Sequence, residues 1–140
     1  MIKQYQAGRL FLGRLTYGED LLKELSGLCE SRNIQMGTLQ VIGAVQSACL
    51  GFYQQKEKRY QRTTLSSPAE ITSCLGNISS KEGKIFIHAH LTLADEQGNV
   101  FGGHLMPGTT VFAAEFQIRE LQGEILHRGE DAATGLALWS

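Results

Sequence analysis

The sequence has little of what marks extracellular, fibrous or nucleic-acid-coating proteins. Among its 140 residues are three cysteines, Cys29, Cys49 and Cys74, an odd number with no C-x-x-C pair. That spacing offers neither a disulfide framework nor a cysteine-based zinc knuckle. Each cysteine lies among apolar neighbours, which points to buried reduced thiols. Two prolines, and 19% charged residues against 42% apolar ones, exclude a disordered or low-complexity chain. The formal net charge of −1 excludes a broad phosphate-neutralising surface. The densest basic stretch, Lys56-Glu57-Lys58-Arg59 with Arg62 shortly after, reads as a solvated loop or edge strand, where lysine discourages mispairing. No run approaches about 18 apolar residues, and Met1 to Tyr5 lacks the apolar core of a signal peptide. The expectation is a cytoplasmic protein with no membrane association.

What is present fits a single domain over residues 1–140, a length that buries about 68–70% of its unfolded surface without help from a disulfide or metal. Residues 8–15 read as a first strand. Thr16-Tyr17-Gly18-Glu19 has the capping-box spacing of a helix start. Leu21, Leu22, Leu25, Leu28 and Cys29 then form one apolar stripe, and Asn33 supplies a left-handed stop. Beyond it the period changes from helical to alternating, which predicts strands over residues 36–45, 47–53, 69–78, 84–94, 99–105 and 109–121. The expected class is α+β: a mixed, mainly antiparallel sheet with one principal amphipathic helix packed on one face. Residues 127–140 fit neither period, but Leu136, Leu138 and Trp139 mark the tail as a segment that docks onto something.

Three of the four histidines fall within seventeen residues, as His88-Ala89-His90 and then His104. On a strand, Ile85, Ile87, Ala89, Leu91 and Leu93 share an apolar face, and His88, His90 and Thr92 share the other. The two rings then lie roughly 7 Å apart along the strand. The following Asp95-Glu96-Gln97-Gly98-Asn99 fits a three-residue hairpin loop with Gly98 as its left-handed residue. Asp95 then faces Asn99, His90 faces His104, and His88 faces Met106. A loop one residue shorter or longer would turn His104 to the wrong face. Three neutral imidazoles converging on one patch suit a divalent transition metal, zinc above all, with one position left for water or substrate. The bland alternative is three half-buried histidines satisfied by backbone and neighbouring side chains. Gly102 and Gly103 allow close approach of a ligand or another backbone. His127 stands alone and reads as structural or exposed. Glu115 interrupts the apolar run Val111 to Ile118. It is the candidate general acid/base, or a carboxylate that orients a ligand histidine; it could equally point to solvent. Glu70 is a weaker acidic candidate.

These motifs resemble a known family. Tyr17-Gly18-Glu19-Asp20-Leu21-Leu22 before the helix, and Val41-Ile42-Gly43-Ala44-Val45 after it, resemble the opening of plant-and-prokaryote conserved (PPC) domains. Ala69 to Ile78 is similar to that family's acidic–apolar strand, and His88-Ala89-His90 with Gly102-Gly103-His104 to its histidine signature. Thr134-Gly135-Leu136 resembles its C-terminal end. The resemblance implies a mixed α/β fold similar to acetolactate decarboxylase, assembly into homotrimers, and a metal, usually taken as zinc, on the three histidines. Plant members carry AT-hooks that bind DNA; with no Arg-Gly-Arg-Pro here, DNA is not expected as a partner of this chain alone. The leading expectation is a trimeric metal-binding protein with a small-molecule ligand and, if an enzyme, a zinc-dependent, lyase-like or carbonyl-directed activity. The alternative is a DNA-associated or protein-interaction module whose histidine patch is structural.

Overall fold

The computed structural model describes residues 1–140. Alternating apolar and polar positions, punctuated by glycine turns, give nine strands and one helix. In chain order these are β1 (Gln6–Arg14), α1 (Leu21–Ser31), β2 (Gly37–Gln54), β3 (Arg59–Leu65), β4 (Ala69–Lys81), β5 (Lys84–Ala94), β6 (Val100–Leu105), β7 (Thr110–Gln122), β8 (His127–Glu130) and β9 (Ala137–Trp139). They form one sheet in the order β1-β7-β2-β6-β5-β4-β8-β9, with β3 added beside β2. Strand β2 also pairs with β4, so β2, β6, β5 and β4 close into a ring of ladders. Every pairing is antiparallel except β4 with β8. This is the expected α+β class.

The apolar stripe of α1 does what its spacing dictates. Leu21, Leu25 and Cys29 are fully buried, with Leu22 and Leu28 packed at the margin. They meet Ala89, Leu91 and Leu93 of β5 and Leu39, Val41 and Val45 of β2 in one core. Each fully buried leucine contributes about 1.5–3 kcal/mol through the apolar surface it removes from water. Because the odd-numbered residues of β5 face this core, His88 and His90 must face away from it.

Three details depart from the sequence reading. First, the helix is not capped by a box from Thr16 to Glu19. Asp20 is the N-cap: its Oδ1 accepts from the Lys23 N–H at 2.9 Å, and its Oδ2 accepts from the Gly108 N–H at 2.6 Å. Thr16 engages through its backbone instead, its N–H donating to Glu24 and its carbonyl accepting from the Glu19 N–H. An aspartate that caps a helix and also ties down a distant loop outcompetes a hydroxyl. Second, the two strands expected over residues 36–45 and 47–53 are one, β2. Its register shifts near Val41–Gly43 and Val45–Ser47 bend the strand without ending it. Gly43, at φ 134°, takes the bend where a side chain would strike the Ala113 carbonyl. The first half of β2 therefore lies between β7 and β4, and the second between β3 and β6. Third, the tail forms β8 and β9, with Leu126 buried and Ser80↔His127 and Lys81↔Arg128 paired alongside β4.

The cap assignment is testable by denaturant unfolding. Asp20→Ala loses two backbone contacts and should destabilise by about 1–3 kcal/mol. Thr16→Ala should change stability by no more than about 0.5 kcal/mol. Equal effects would contradict the assignment.

Candidate metal centre

The centre grows from the β5–β6 hairpin. Gly98 takes φ 80°, and its N–H donates to the Asp95 carbonyl at 3.0 Å. Asp95 Oδ1 accepts from the backbone N–H groups of Gln97 and Asn99, and Oδ2 accepts from the Asn99 side chain. Those bonds, the Asn99 side chain first, hold the Asp95 carboxyl below its usual pKa. The loop fixes the pairing: Ala94 lies opposite Val100, Leu91 opposite Gly103, and His90 opposite His104. The expected register is the observed one as far as His104. Met106 is not opposite His88, because its N–H donates instead to the Cys49 carbonyl of β2.

Three rings therefore share the face away from the core. Ring centroids are 5.2 Å apart for His88–His90, 5.2 Å for His88–His104 and 5.7 Å for His90–His104. One ring nitrogen from each lies within 4.8 Å of the others. Nitrogens bound tetrahedrally to one zinc sit about 3.4 Å apart, so modest side-chain rotation closes the set. Tyr60 of β3 lies over His104 at 4.9 Å, reached across Gly51, the residue opposite His104 on β2. The close approach at Gly102 and Gly103 is by backbone: a Cβ there would meet the carbonyls of Leu91 and Gly51.

His104 Nδ1 is buried with no hydrogen-bond partner. Buried polar atoms are almost always satisfied, so an orphan ring nitrogen inside a histidine cluster is what a ligand nitrogen without its ion would look like. This speaks against histidines satisfied by their neighbours. Burial, then the rings of His88 and His90 and the Arg128 cation, push the His104 pKa down to about 4. Burial, then Arg128 and His90, lower that of His88. Both are neutral at pH 7, the form that coordinates a metal. The donor set fits a zinc-like ion.

The tail supplies a wall. Arg128 of β8 donates to Asn77 Oδ1 and Ser79 Oγ at 2.8 Å and to the Ala137 carbonyl at 2.9 Å. Asn77 lies directly opposite His88 on the neighbouring strand. Tyr53 donates its hydroxyl to the Thr134 carbonyl, which pins the tail near the same groove. Asn77 and Tyr53 lie on strands that alternation predicts, but nothing in that pattern points to the partners they meet. Arg128 lies in the stretch without a clear period, and Tyr60 reaches the site through strand pairing that no local pattern encodes.

Glu115 requires a correction. It sits on β7, paired with Arg14 and Ile42, whereas His104 pairs with Gly51. The two positions lie on the order of 25–30 Å apart along β2. Glu115 lines a different depression, with Arg14, Tyr17 and Phe112. Within one chain it neither orients a ligand histidine nor serves as acid/base at that site. Glu70 is exposed on β4, opposite Ala94 and Ala44. His127 is exposed, and only its backbone carbonyl is engaged. The cysteines are buried free thiols, and burial pushes Cys29 and Cys74 up to about 12.

The ring of ladders with histidines on its outer face defines an α+β sheet protein with a three-histidine candidate metal centre. Residues 2–122 match the Plants and Prokaryotes Conserved (PCC) domain, the PPC domain of the sequence reading, and the chain belongs to that family. A metal-containing protein of Archaeoglobus fulgidus is 40% identical, with a TM-score of 0.96 over 100% of this chain and 99% of that one. A plant- and prokaryote-conserved protein of Pyrococcus horikoshii is 36% identical, with a TM-score of 0.95 over 100% and 97%. The bifunctional protein GlmU of Synechococcus sp. (strain JA-3-3Ab) is 33% identical over 129 residues, 91% of this chain. The chain spans only 20% of that relative. Acetolactate decarboxylase of Bacillus subtilis shares the fold alone, with a TM-score of 0.57 at 12% identity over 92% of this chain and 59% of that one.

The lowered histidine pKa values have a consequence for metal-free protein. An unfolded histidine takes up its proton near 6.5, while folded His104 resists until about 4. The unfolded state binds more protons in this window, so stability is complete above 6.5 and is lost as pH falls toward 4. Chelator-treated protein should melt at lower temperature at pH 5 than at pH 7.5. His104→Gln should show a smaller drop; an equal drop would contradict the assignment.

Proposed function

We propose that this protein binds one divalent, zinc-like ion through His88, His90 and His104 and presents its open coordination position to a small molecule. The observation that carries the reading is the convergence of three histidine rings on one face, with a buried ring nitrogen of His104 left without a partner. The metal-containing relative from Archaeoglobus fulgidus supports it. Such an ion supplies Lewis-acid polarisation of a ligand oxygen, which suits carbonyl-directed or lyase-like chemistry. The chain's own part is to hold three neutral imidazoles on rigid strands and to shield one side with Tyr60 and the tail.

A competition titration against a chromophoric zinc chelator at pH 7 tests this. The parent should bind one zinc per chain. His104→Ala should lose more than about 100-fold in affinity, beyond the ~10–100-fold typical of changes behind the ligands. Glu115→Gln should remain within about threefold. Failure of the parent to bind, or equal effects of the two variants, would end the proposal.

We also propose that the protein assembles as a homotrimer, the state expected from the family resemblance. Paired positions run across the sheet from Leu12 through Gln117, Gln40 and Leu75 to His90 and His104, so they share one face. No helix covers this row, and Leu12, Ile42 and Leu75 are 71%, 58% and 57% exposed. Copies of the chain would bury such side chains. Light scattering should give about 46 kDa, three copies of the 15.4 kDa chain. A monomer mass over a wide concentration range would overturn the trimer.

A further inference from the structure

The groove over the histidines has a one-sided charge. It is open, with a volume of about 700 Å³, and is lined by Lys58, Arg59, Lys81 and Arg128 but by no aspartate or glutamate. The molecule's two ion pairs, Lys3–Glu124 and Arg9–Glu120, lie elsewhere. Arg128 is thus a half-buried cation held in place without a counter-charge. Its guanidinium lies 5.0 Å from the Phe86 ring and 5.4 Å from the Trp139 ring. Three of its five N–H donors go to the neutral acceptors Asn77, Ser79 and the Ala137 carbonyl. Two donors remain, one on each Nη. Keeping a cation partly out of water with only neutral partners is costly unless an anion completes it.

We propose that this groove is a subsite for a small carboxylate, gripped by Arg128 while an adjacent ligand oxygen faces the three histidines. The second anchor rests on the metal reading above; the Arg128 anchor stands without it. One donor left on each Nη, both in the guanidinium plane, would let one carboxylate be held through its two oxygens. A phosphate gains no second planar fork, because Lys58 and Lys81 offer single ammonium charges, Lys58 Nζ giving one of its three donors to the Ala132 carbonyl and Lys81 lying over the Phe86 ring. Asn77 bridges the two anchors: it accepts from Arg128 at 2.8 Å and lies opposite His88. Arg128 also lies outside residues 2–122, the span that matches the family. Ligand choice at this groove would therefore be set by a residue of the tail.

Oxalate is the probe, since its two adjoining carboxylates can occupy both anchors. Calorimetric titrations use the full chain, zinc-loaded and metal-free, as parent, Arg128→Gln and Arg128→Lys. Oxalate should bind the parent, and both variants should weaken that binding at least about tenfold without weakening zinc binding. Oxamide, neutral and of the same shape, should not bind, and inorganic phosphate should bind more weakly than oxalate. If Arg128→Gln fails to fold, Arg128→Lys, which keeps the cation but not the planar fork, decides. Oxalate binding equal in parent and variants, no binding to either form of the parent, or tighter binding of phosphate would overturn the subsite. If zinc does not bind, the metal reading fails alone, and Arg128-dependent oxalate binding to metal-free protein still supports the subsite.

Discussion

The arrangement depends on one local constraint, the loop that Asp95 ties between β5 and β6. Its carboxylate gathers two backbone N–H groups and the Asn99 amide, and Gly98 takes the left-handed turn. Side chains alternate across a strand, so the loop length decides which residues of β6 face the core and which join His88 and His90. The same register that buries Leu105 beside Leu91 and Leu93 brings His104 opposite His90. Core and site cannot be set separately. A slip that moved His104 away would also expose Leu105, and losing a buried leucine costs several kcal/mol. The core thereby enforces the geometry of the histidines.

That coupling explains what could be read from the sequence. Strand β5 has the bounds its alternation predicts, and the hairpin register follows from one glycine and one aspartate. Both are local, carried within some twenty residues. The helix was legible as a stripe but not as a start, because Asp20 gains its advantage from Gly108, far along the chain. The unity of β2 was hidden for a similar reason: bulges that look like a break become a bend once β7 and β4 supply partners. Glu115 looked chemical because a charge interrupts an apolar run. Only the long pairing of β2 with β7 shows that it lies beside Ile42, remote from the histidines.

The tail is the part that local pattern could least resolve. Residues 127–140 have no period, since two short strands around a turn bury little of their own. They are held by contacts with groups elsewhere: Arg128 with Asn77 and Ser79, Thr134 with Tyr53, and Ala132 with Lys58. Leu136, Leu138 and Trp139 did mark it as a docking segment, and it docks against the strand next to the histidines. The rigid strands fix where the rings stand, while the tail fixes the charge they see.

Charge is where these features meet. Three neutral imidazoles would leave a bound divalent ion with its full double charge, unlike a site with carboxylate or thiolate ligands. Arg128 adds a further fixed positive charge beside the rings, and burial there lowers its pKa without discharging a guanidinium at neutral pH. Burial first, then the neighbouring rings and last this charge, make protonation of His104 unfavourable. The part of this that comes from the Arg128 charge opposes a metal cation as well, and in a half-buried groove that repulsion is less screened than on an open surface. Coordination bonds must therefore outweigh it, or an anion must arrive with the metal. No side chain of the groove lining can be that anion, because none is acidic. The charge that balances a loaded centre has to come from outside the chain's own groove. Metal and anionic ligand would then favour each other's binding, each removing an electrostatic cost that the other would meet alone.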